Sequence, residues 1–535
     1  MVHSALLVAA LLPIAAQAAN DWNTPCFGEC NWDITDGNGS GTLRLLGSQT
    51  GVSDLTTAAG WTILDCDPNV ADQDIRLVCH DPDAGCDHVN QNGAEGTLVR
   101  LPTSCGSVPF ALVTRMWVHQ DQKIPASKRA LIMRRDGSQP TVKGISLATD
   151  FAAVDPDVNG NVTLFLQGSS IPGVAGNFTV TPPTGVAAAK RGLFSWIGDT
   201  LKGLSEVHKN ITGSSPINFE KDVPLFDQSF SCPQNGAVPA FSGEAKVDLN
   251  GKVDGTVSYG VAAAGSIIPP KLDEFGLFVG LDTTVTGTLG LDATLTGSIS
   301  SGKIPLFETG IPGLDFPKIL SIGPTFSVNA EATASLDANL NVDVDLAYTI
   351  AGAQLFFPPS SNPAGSYKPG DSNLKLSVSP NVTSHGQVAA HLIPSLAFGV
   401  DVLSGAAKAT INLDVDASAG VDLSLSAVAE AATGTDGKSA GASFGGCVDV
   451  TTGLAVTAGA DASLLSFFDK STSVDLFTKT FDLFKKCFGD NPARRAYTGR
   501  AARAALMAKR DSVGCPSSLF GTAASVVEEA VPAGR

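Results

Sequence analysis

Charge is scarce in this sequence, and positive charge is scarcer than negative. Charged residues make up 16% of the 535, with 35 Lys and Arg against 52 Asp and Glu, for a formal net charge of −17. That balance argues against a nucleic-acid partner, which wants basic patches. Surface polarity must then come largely from Ser, Thr, Asn and Gly. After the N-terminus no run of about 18 apolar residues occurs, so no transmembrane segment is expected. Zinc-protease, phosphate-loop and dinucleotide-loop patterns are missing, and no cofactor or metal is expected. One hydrolase-like pentapeptide is present, Gly441-Ala-Ser443-Phe-Gly445. That elbow needs a strand–turn–helix and a later His. No His follows His391, and long strands surround it, so it reads as a loop before Cys447. No catalytic residue can be named. Paired carboxylates for sugar hydrolysis are placed by fold rather than by spacing. Those here mostly fall on polar strand faces, such as Asp337, Asp343 and Asp345.

What the sequence has is alternation. From Phe326 to Ile350 every even position is apolar, and the odd ones between are Ser, Asn, Glu, Thr, Asp and Ala. Period two without a slip marks a strand with one buried face. The stretch contains neither Gly nor Pro. Unbroken, it would run roughly 80 Å, against five or six residues for an ordinary strand. The spacing predicts Leu336, Leu340 and Val344 inside, with Asp337, Asn341 and Asp345 facing water or a polar lumen. Similar alternations run over 245–261, 277–299, 374–392, 407–431 and 448–464, joined by Pro-containing loops. Six of them argue an antiparallel meander over 231–487, folded as an elongated sandwich or a partly closed barrel. The inward face is mostly Ala, Val, Leu and Gly.

The other segments differ in style. Residues 1–18 read as a signal peptide, with an apolar core from Leu6 and a small-x-small site at Ala16-Gln17-Ala18. Ten cysteines suit a secreted chain: Cys26, Cys30, Cys66, Cys79, Cys86, Cys105, Cys232, Cys447, Cys487 and Cys515. All ten are expected to pair. The first six should pair among themselves, with fifteen connectivities open. Sequons at Asn38, Asn161, Asn177, Asn210 and Asn381 support a secretory route. Residues 19–181 read as a compact disulfide-bonded β domain. Within it, Cys79-His80-Asp81 to Cys86-Asp87-His88 is dense in possible metal ligands. In an oxidising compartment it reads instead as two disulfide cysteines in an acidic loop.

Residues 182–230 form a linker with a dibasic pair, Lys190-Arg191, followed by an amphipathic helix over 192–209. Phe194, Trp196, Ile197 and Leu201 are its apolar anchors, within an arc of roughly 160°. The arc is expected to cover an end or open edge of the long-strand domain; insertion at a membrane surface is the alternative. The tail, 488–535, is basic, carries Lys509-Arg510 and reads as disordered. Lys190-Arg191 and Lys509-Arg510 are the candidate processing sites. The fold class expected is therefore mainly β: an N-terminal disulfide-rich β domain and a large antiparallel domain of very long strands, with one amphipathic helix between.

Several pieces resemble a group of secreted basidiomycete fungal proteins of unknown function. They are Pro25-Cys-Phe-Gly-Glu-Cys30, Gly60-Trp-Thr-Ile-Leu-Asp-Cys66, Asp74-Ile-Arg-Leu-Val-Cys79, Phe226-Asp-Gln-Ser-Phe-Ser-Cys232, Ile311-Pro-Gly-Leu-Asp-Phe-Pro317 and Phe444-Gly-Gly-Cys447. The resemblance implies an extracellular or cell-wall setting and supplies no catalytic residue. The expected function is a secreted, glycosylated, non-enzymatic surface protein whose partners are wall glycans or lipid. A wall-polysaccharide hydrolase and a membrane-active or lipid-binding protein stand as alternatives.

Overall fold

The computed structural model describes residues 21–36, 39–132, 139–171, 196–203, 215–235, 239–357, 364–378, 384–402, 407–427, 444–460, 473–488, 512–514 and 524–531. The chain is mainly β and divides into two compact units. One comprises Met1–Leu204 with Val261–Phe275 and Phe316–Ile319; the other comprises Ser205–Gly260, Gly276–Asp315 and Leu320–Arg535.

In chain order the first strands are β1 (Glu29–Asp36), β2 (Gly39–Leu46), β3 (Val52–Asp54), β4 (Trp61–Asp65) and β5 (Gln73–Cys79). They are followed by β6 (Leu98–Arg100), β7 (Phe110–Val118), β8 (Val142–Ala148) and β9 (Val162–Ser169), with helix α1 (Ala126–Ile132) before β8 and α2 (Pro156–Asn159) after it. Six of these form one sheet in the order β3-β6-β7-β8-β5-β4, antiparallel except for β3 beside β6. One face carries the core of the unit, including Leu77, Val99, Val113 and Ile145. On the other face α1 lays Ile132 against Val78 and Val142, with Leu64 and Ile124. β1, β2 and β9 form a second antiparallel set.

A buried ion pair ties the start of the described chain to this unit. The Arg100 guanidinium meets the Asp54 carboxylate with side chains 4% and 0% exposed. Asp54 also accepts from the Cys26 and Thr56 backbone N–H groups, and Arg100 donates to the Asp21 and Thr24 carbonyls. A buried charge pair is tolerable only with its remaining hydrogen-bond capacity used, and here it is.

The long strands follow: β10 (Ser215–Cys232), β11 (Phe241–Ile268), β12 (Lys271–Ser300), β13 (Ile304–Gly310), β14 (Leu314–Phe316) and β15 (Leu320–Phe357). Then come β16 (Ala364–Pro369), β17 (Ser372–Val378), β18 (Ser384–Val402), β19 (Ala407–Ala427), β20 (Phe444–Ala460), β21 (Ser473–Phe488), β22 (Ser512–Gly514) and β23 (Ala524–Val531). β15 is the centre. One of its edges pairs with β13 and β12, the other with β18, β17 and β16, all antiparallel. β18, β19, β20 and β21 continue the meander in sequence order.

The even face of β15 is buried, as the alternation predicts. Phe326, Val328, Ala330, Val342, Val344 and Ile350 are each at most 1% exposed. Leu336, Asp337 and Leu340 have side chains outside the described ones. Asn341 and Asp345 are half-buried on the polar face; Asp345 accepts from Thr288 Oγ1 at 2.8 Å and Asn373 Nδ2 at 2.7 Å. The strand absorbs one irregularity. Between Leu281↔Ala353 and Thr283↔Ile350 the register slips by a residue, and Gly352 sits at φ +60°. Its N–H donates to Asp282 Oδ1 at 2.6 Å, a glycine-dependent bulge. Across the interior, Tyr348 donates its hydroxyl to the Ser418 carbonyl at 2.9 Å, and burial pushes its ionisation up to about 12.

Read from composition, 231–487 form the long-strand domain and 488–535 a separate tail. The structure instead returns 261–275 and 316–319 to the N-terminal unit. The reason is local. Period two lapses at Val261-Ala-Ala-Ala264, and all four are at most 1% exposed, so this stretch of β11 is covered on both faces. Within that unit Ser266 Oγ donates to the Val162 carbonyl at 3.0 Å, and Phe316, fully buried, fills the space above Gly41.

The face assignment gives a stability test. Val344→Asp should cost several kcal/mol, because it buries an unpaired charge. Thr349→Asp, exposed and opposite Lys368, should cost under about 0.5 kcal/mol. Asn341→Asp should cost more than Thr349→Asp, because Asn341 lies directly across from Asp292. Urea unfolding measures all three; equal losses at 344 and 349 would mean the faces are misassigned.

Candidate functional site

The six N-terminal cysteines pair as Cys26–Cys30, Cys66–Cys105 and Cys79–Cys86. Cys232 and Cys447 are also disulfide-bonded. The β20–β21 register sets Cys447 directly across from Cys487, whose side chain, like Cys515, lies outside the described residues. The loop dense in metal ligands is spent on structure. Cys79 and Cys86 are bonded to each other. His80 Nδ1 meets Thr62 Oγ1 at 3.0 Å and His88 Nδ1 meets Ser53 Oγ at 3.1 Å, while Phe27 stacks on His88 with centroids 3.9 Å apart. Among the described residues no three His, Cys, Asp or Glu side chains converge as a metal site. Burial lowers the proton affinity of both histidines, partly offset at His80 by Asp81.

Asn161 is exposed just before β9. Asn38, Asn177, Asn210 and Asn381 lie outside the described residues, as do Lys190, Arg191, Lys509, Arg510 and Ser443. A third basic pair, Lys128-Arg129, sits on α1 with both heads engaged. Lys128 Nζ donates to the Leu64 carbonyl at 3.2 Å, and Arg129 Nε donates to the Ile124 carbonyl at 3.1 Å.

The amphipathic segment is helical over 196–203. Trp196, Ile197 and Leu201 are each 4% exposed, with Asp199 and Lys202 outward; Phe194 lies outside the described residues. Trp196 meets Phe165 of β9 edge-on, centroids 5.2 Å apart. Trp196 thus packs on a strand of the N-terminal unit. Spacing shows which residues share a helical arc, but not which surface receives it.

In the long-strand unit the chemistry-bearing residues lie on the polar face of β18, β19, β20 and β21. The β18–β19 ladder is interrupted at Ile393–Pro394, opposite Val415–Asp416. Pro394 has no N–H to give. Beside the interruption, His391 Nδ1 contacts both oxygens of Asp416, at 2.8 and 3.0 Å. Ser418 lies across from His391, but its hydroxyl donates to the Gly453 carbonyl at 3.3 Å. That arrangement orients an imidazole without activating a serine. Further along β19, Asp422 faces Asp449 of β20, and Lys485 of β21 donates to Asp449. Desolvation on the sheet face pushes the Asp422 carboxyl above the usual range; Asp449 adds to this, while Gln387 and Lys485 oppose it. On the buried side of the same sheet, Pro394, Leu396, Leu413, Val415, Phe326 and Leu281 help line a cavity of about 10 Å³, the room of a single water.

Sequence reading passed over two arrangements. His391 and Asp416 are 25 residues apart and meet only through strand register. On β7 and just past its end, Arg115, Trp117 and His119 alternate onto the sheet face away from the main core; the Arg-Met-Trp-Val-His spacing would have flagged an aromatic on a polar strand face.

The family described as a domain of unknown function (DUF7223) matches residues 242–489, from the second residue of β11 to one residue past β21. The match takes in His391, Asp416, Asp422 and Asp449. No curated protein and no solved structure matches the chain. No described helix is long and apolar enough to cross a membrane, which says nothing of strands.

Non-reducing peptide mapping should return the Cys26–Cys30, Cys66–Cys105 and Cys79–Cys86 pairs; any exchange among the six would refute this framework. The buried histidines set a pH dependence. Unfolded, each takes a proton near pH 6.5; folded, both resist it. The unfolded chain therefore binds more protons below that pH, so stability is full above about 6.5 and falls as pH drops. The thermal midpoint should fall between pH 7.5 and 5.5, and fall less in His88→Gln. Identical slopes in both proteins would sink this assignment.

Proposed function

We propose that this protein is a secreted, glycosylated, non-catalytic β protein of an extracellular or cell-wall surface, and that it binds wall glycans. One observation carries the reading. Several ionisable side chains of the long-strand unit are tied off in pairs along extended polar strand faces, as in His391–Asp416, Lys485–Asp449 and Lys252–Glu220. Such a surface suits display and contact rather than a reaction cleft. Three disulfides in the N-terminal unit agree with an oxidising compartment, and the exposed Asn161 sequon agrees with a glycosylated chain.

The hydrolase reading keeps one specific observation, the facing Asp422 and Asp449 carboxylates in unlike environments. The purified mature protein should be incubated with insoluble chitin and β-glucan, with release of reducing ends measured alongside binding, and with neutral phospholipid vesicles in parallel. Retention on a polysaccharide without new reducing ends is expected. Reducing ends that disappear in Asp422→Asn would make it a hydrolase. Retention on vesicles alone would make it a lipid binder.

A further inference from the structure

Within the six-stranded sheet, one aromatic ring stands apart from every core. β7 turns Arg115, Trp117 and His119 onto the face away from the main core, and β8 places Gly144 directly across from Trp117. The indole lies flat on that glycine: a Cβ there would come within 2.4 Å of Trp117 Cε2 and 2.5 Å of Cζ2. The ring is therefore a plate laid on the sheet, partly exposed.

Around the plate the polar groups are fixed by one another. Arg76 Nε donates to Asp65 Oδ2 at 2.7 Å and Nη1 to Asp121 Oδ2 at 2.8 Å, while the carboxylates stay about half exposed, at 52% and 48%. Asp74 accepts from Ser146 Oγ. The Trp117 indole N–H and the Arg115 guanidinium donate to no acceptor among the described residues. The latter is exposed and held only by lying 4.1 Å over the ring. The attraction of an exposed cation for a ring is weak, so a ligand on the plate can move the guanidinium to its rim.

A flat ring with pre-set carboxylates and free N–H donors at its edge matches one amphipathic ligand shape. A pyranose whose substituents are all equatorial has an apolar C–H face and a rim of hydroxyls. Stacking satisfies the face, and the fixed polar groups meet the hydroxyls in pairs. A nucleobase would stack as well, but its phosphates would meet Asp65, Asp74 and Asp121 on a chain of net charge −17.

We propose that the Trp117 plate on the six-stranded sheet is a saccharide-binding subsite for a neutral, equatorially substituted hexopyranose of the glucose or N-acetylglucosamine type. The proposal rests on the glycan-binding reading and names its residues. The probes are chitohexaose and laminarihexaose, followed by calorimetry on the full mature chain. Trp117→Ala should weaken binding at least tenfold with an unchanged thermal midpoint, and Trp117→Phe should retain most of it. Gly144→Ala keeps the indole but lifts it from the sheet, and should also weaken binding several-fold; it decides the matter if Trp117→Ala does not fold. Wild-type binding that survives Trp117→Ala and Gly144→Ala within twofold overturns the subsite and leaves the glycan reading standing. A wild-type protein that binds neither hexasaccharide overturns both.

Discussion

The long-strand unit depends on β15 being paired along both edges. A strand of 38 residues carries as many backbone donors and acceptors as a small sheet, and each one left dry would cost free energy. Satisfying them takes β12 and β13 on one side and β16, β17 and β18 on the other. Once those partners are in place, the side-chain period does the rest. A slip of one residue would turn Phe326, Val328, Val342 and Val344 to the polar face together. Register and burial thus enforce each other over the whole length. The bulge within β15 itself falls at Gly352, a residue that can hold positive φ, with its N–H taken up by Asp282.

The same constraint explains the polar faces. With one face committed to the core, the other must carry enough polarity to stay wet without repelling itself. Few cations are available, and several are set against carboxylates. Lys252 lies near both Glu220 and Asp254, Lys485 near Asp449, and Lys375 near Glu528. Exposed pairs of this kind add little stability. Their effect is to offset repulsion among many aspartates on neighbouring strands.

Much of this was legible in the chain and some could not be. The alternation of 326–350 named the buried face of β15, because period two has one physical cause. The surplus of cysteines near the N-terminus pointed to a stapled domain. Nothing in spacing chooses the observed connectivity over the fourteen others; Cys66–Cys105, for one, is decided by where β4 ends and where the turn after β6 brings its chain. The arc of Trp196, Ile197 and Leu201 was legible, but its receptor Phe165 was not. The Val261-Ala-Ala-Ala264 lapse is a signal that strand periodicity contains, since two-sided burial erases alternation. The plate at Trp117 needs β7 and β8 paired in one register, a relation between residues 27 apart that no local pattern encodes.

The two units differ in what they leave unsatisfied, and that difference bears on function. Along the described long strands several ionisable groups that could do chemistry are matched across the ladder, and a ligand there would have to break a contact to make one. Asp416 is already held by His391, and Asp449 by Lys485. On the outer face of the six-stranded sheet the balance is reversed. Arg76 is locked by two carboxylates that still offer exposed oxygens, whereas the Trp117 N–H and the Arg115 guanidinium have no hydrogen-bond acceptor among the described residues. A recognition site gains most from groups that are rigid yet unspent, because ordering them has already been done by the fold. Gly144 is what makes that rigidity possible. Any larger residue on β8 would lift the indole off the sheet, and the plate would become one more mobile surface tryptophan.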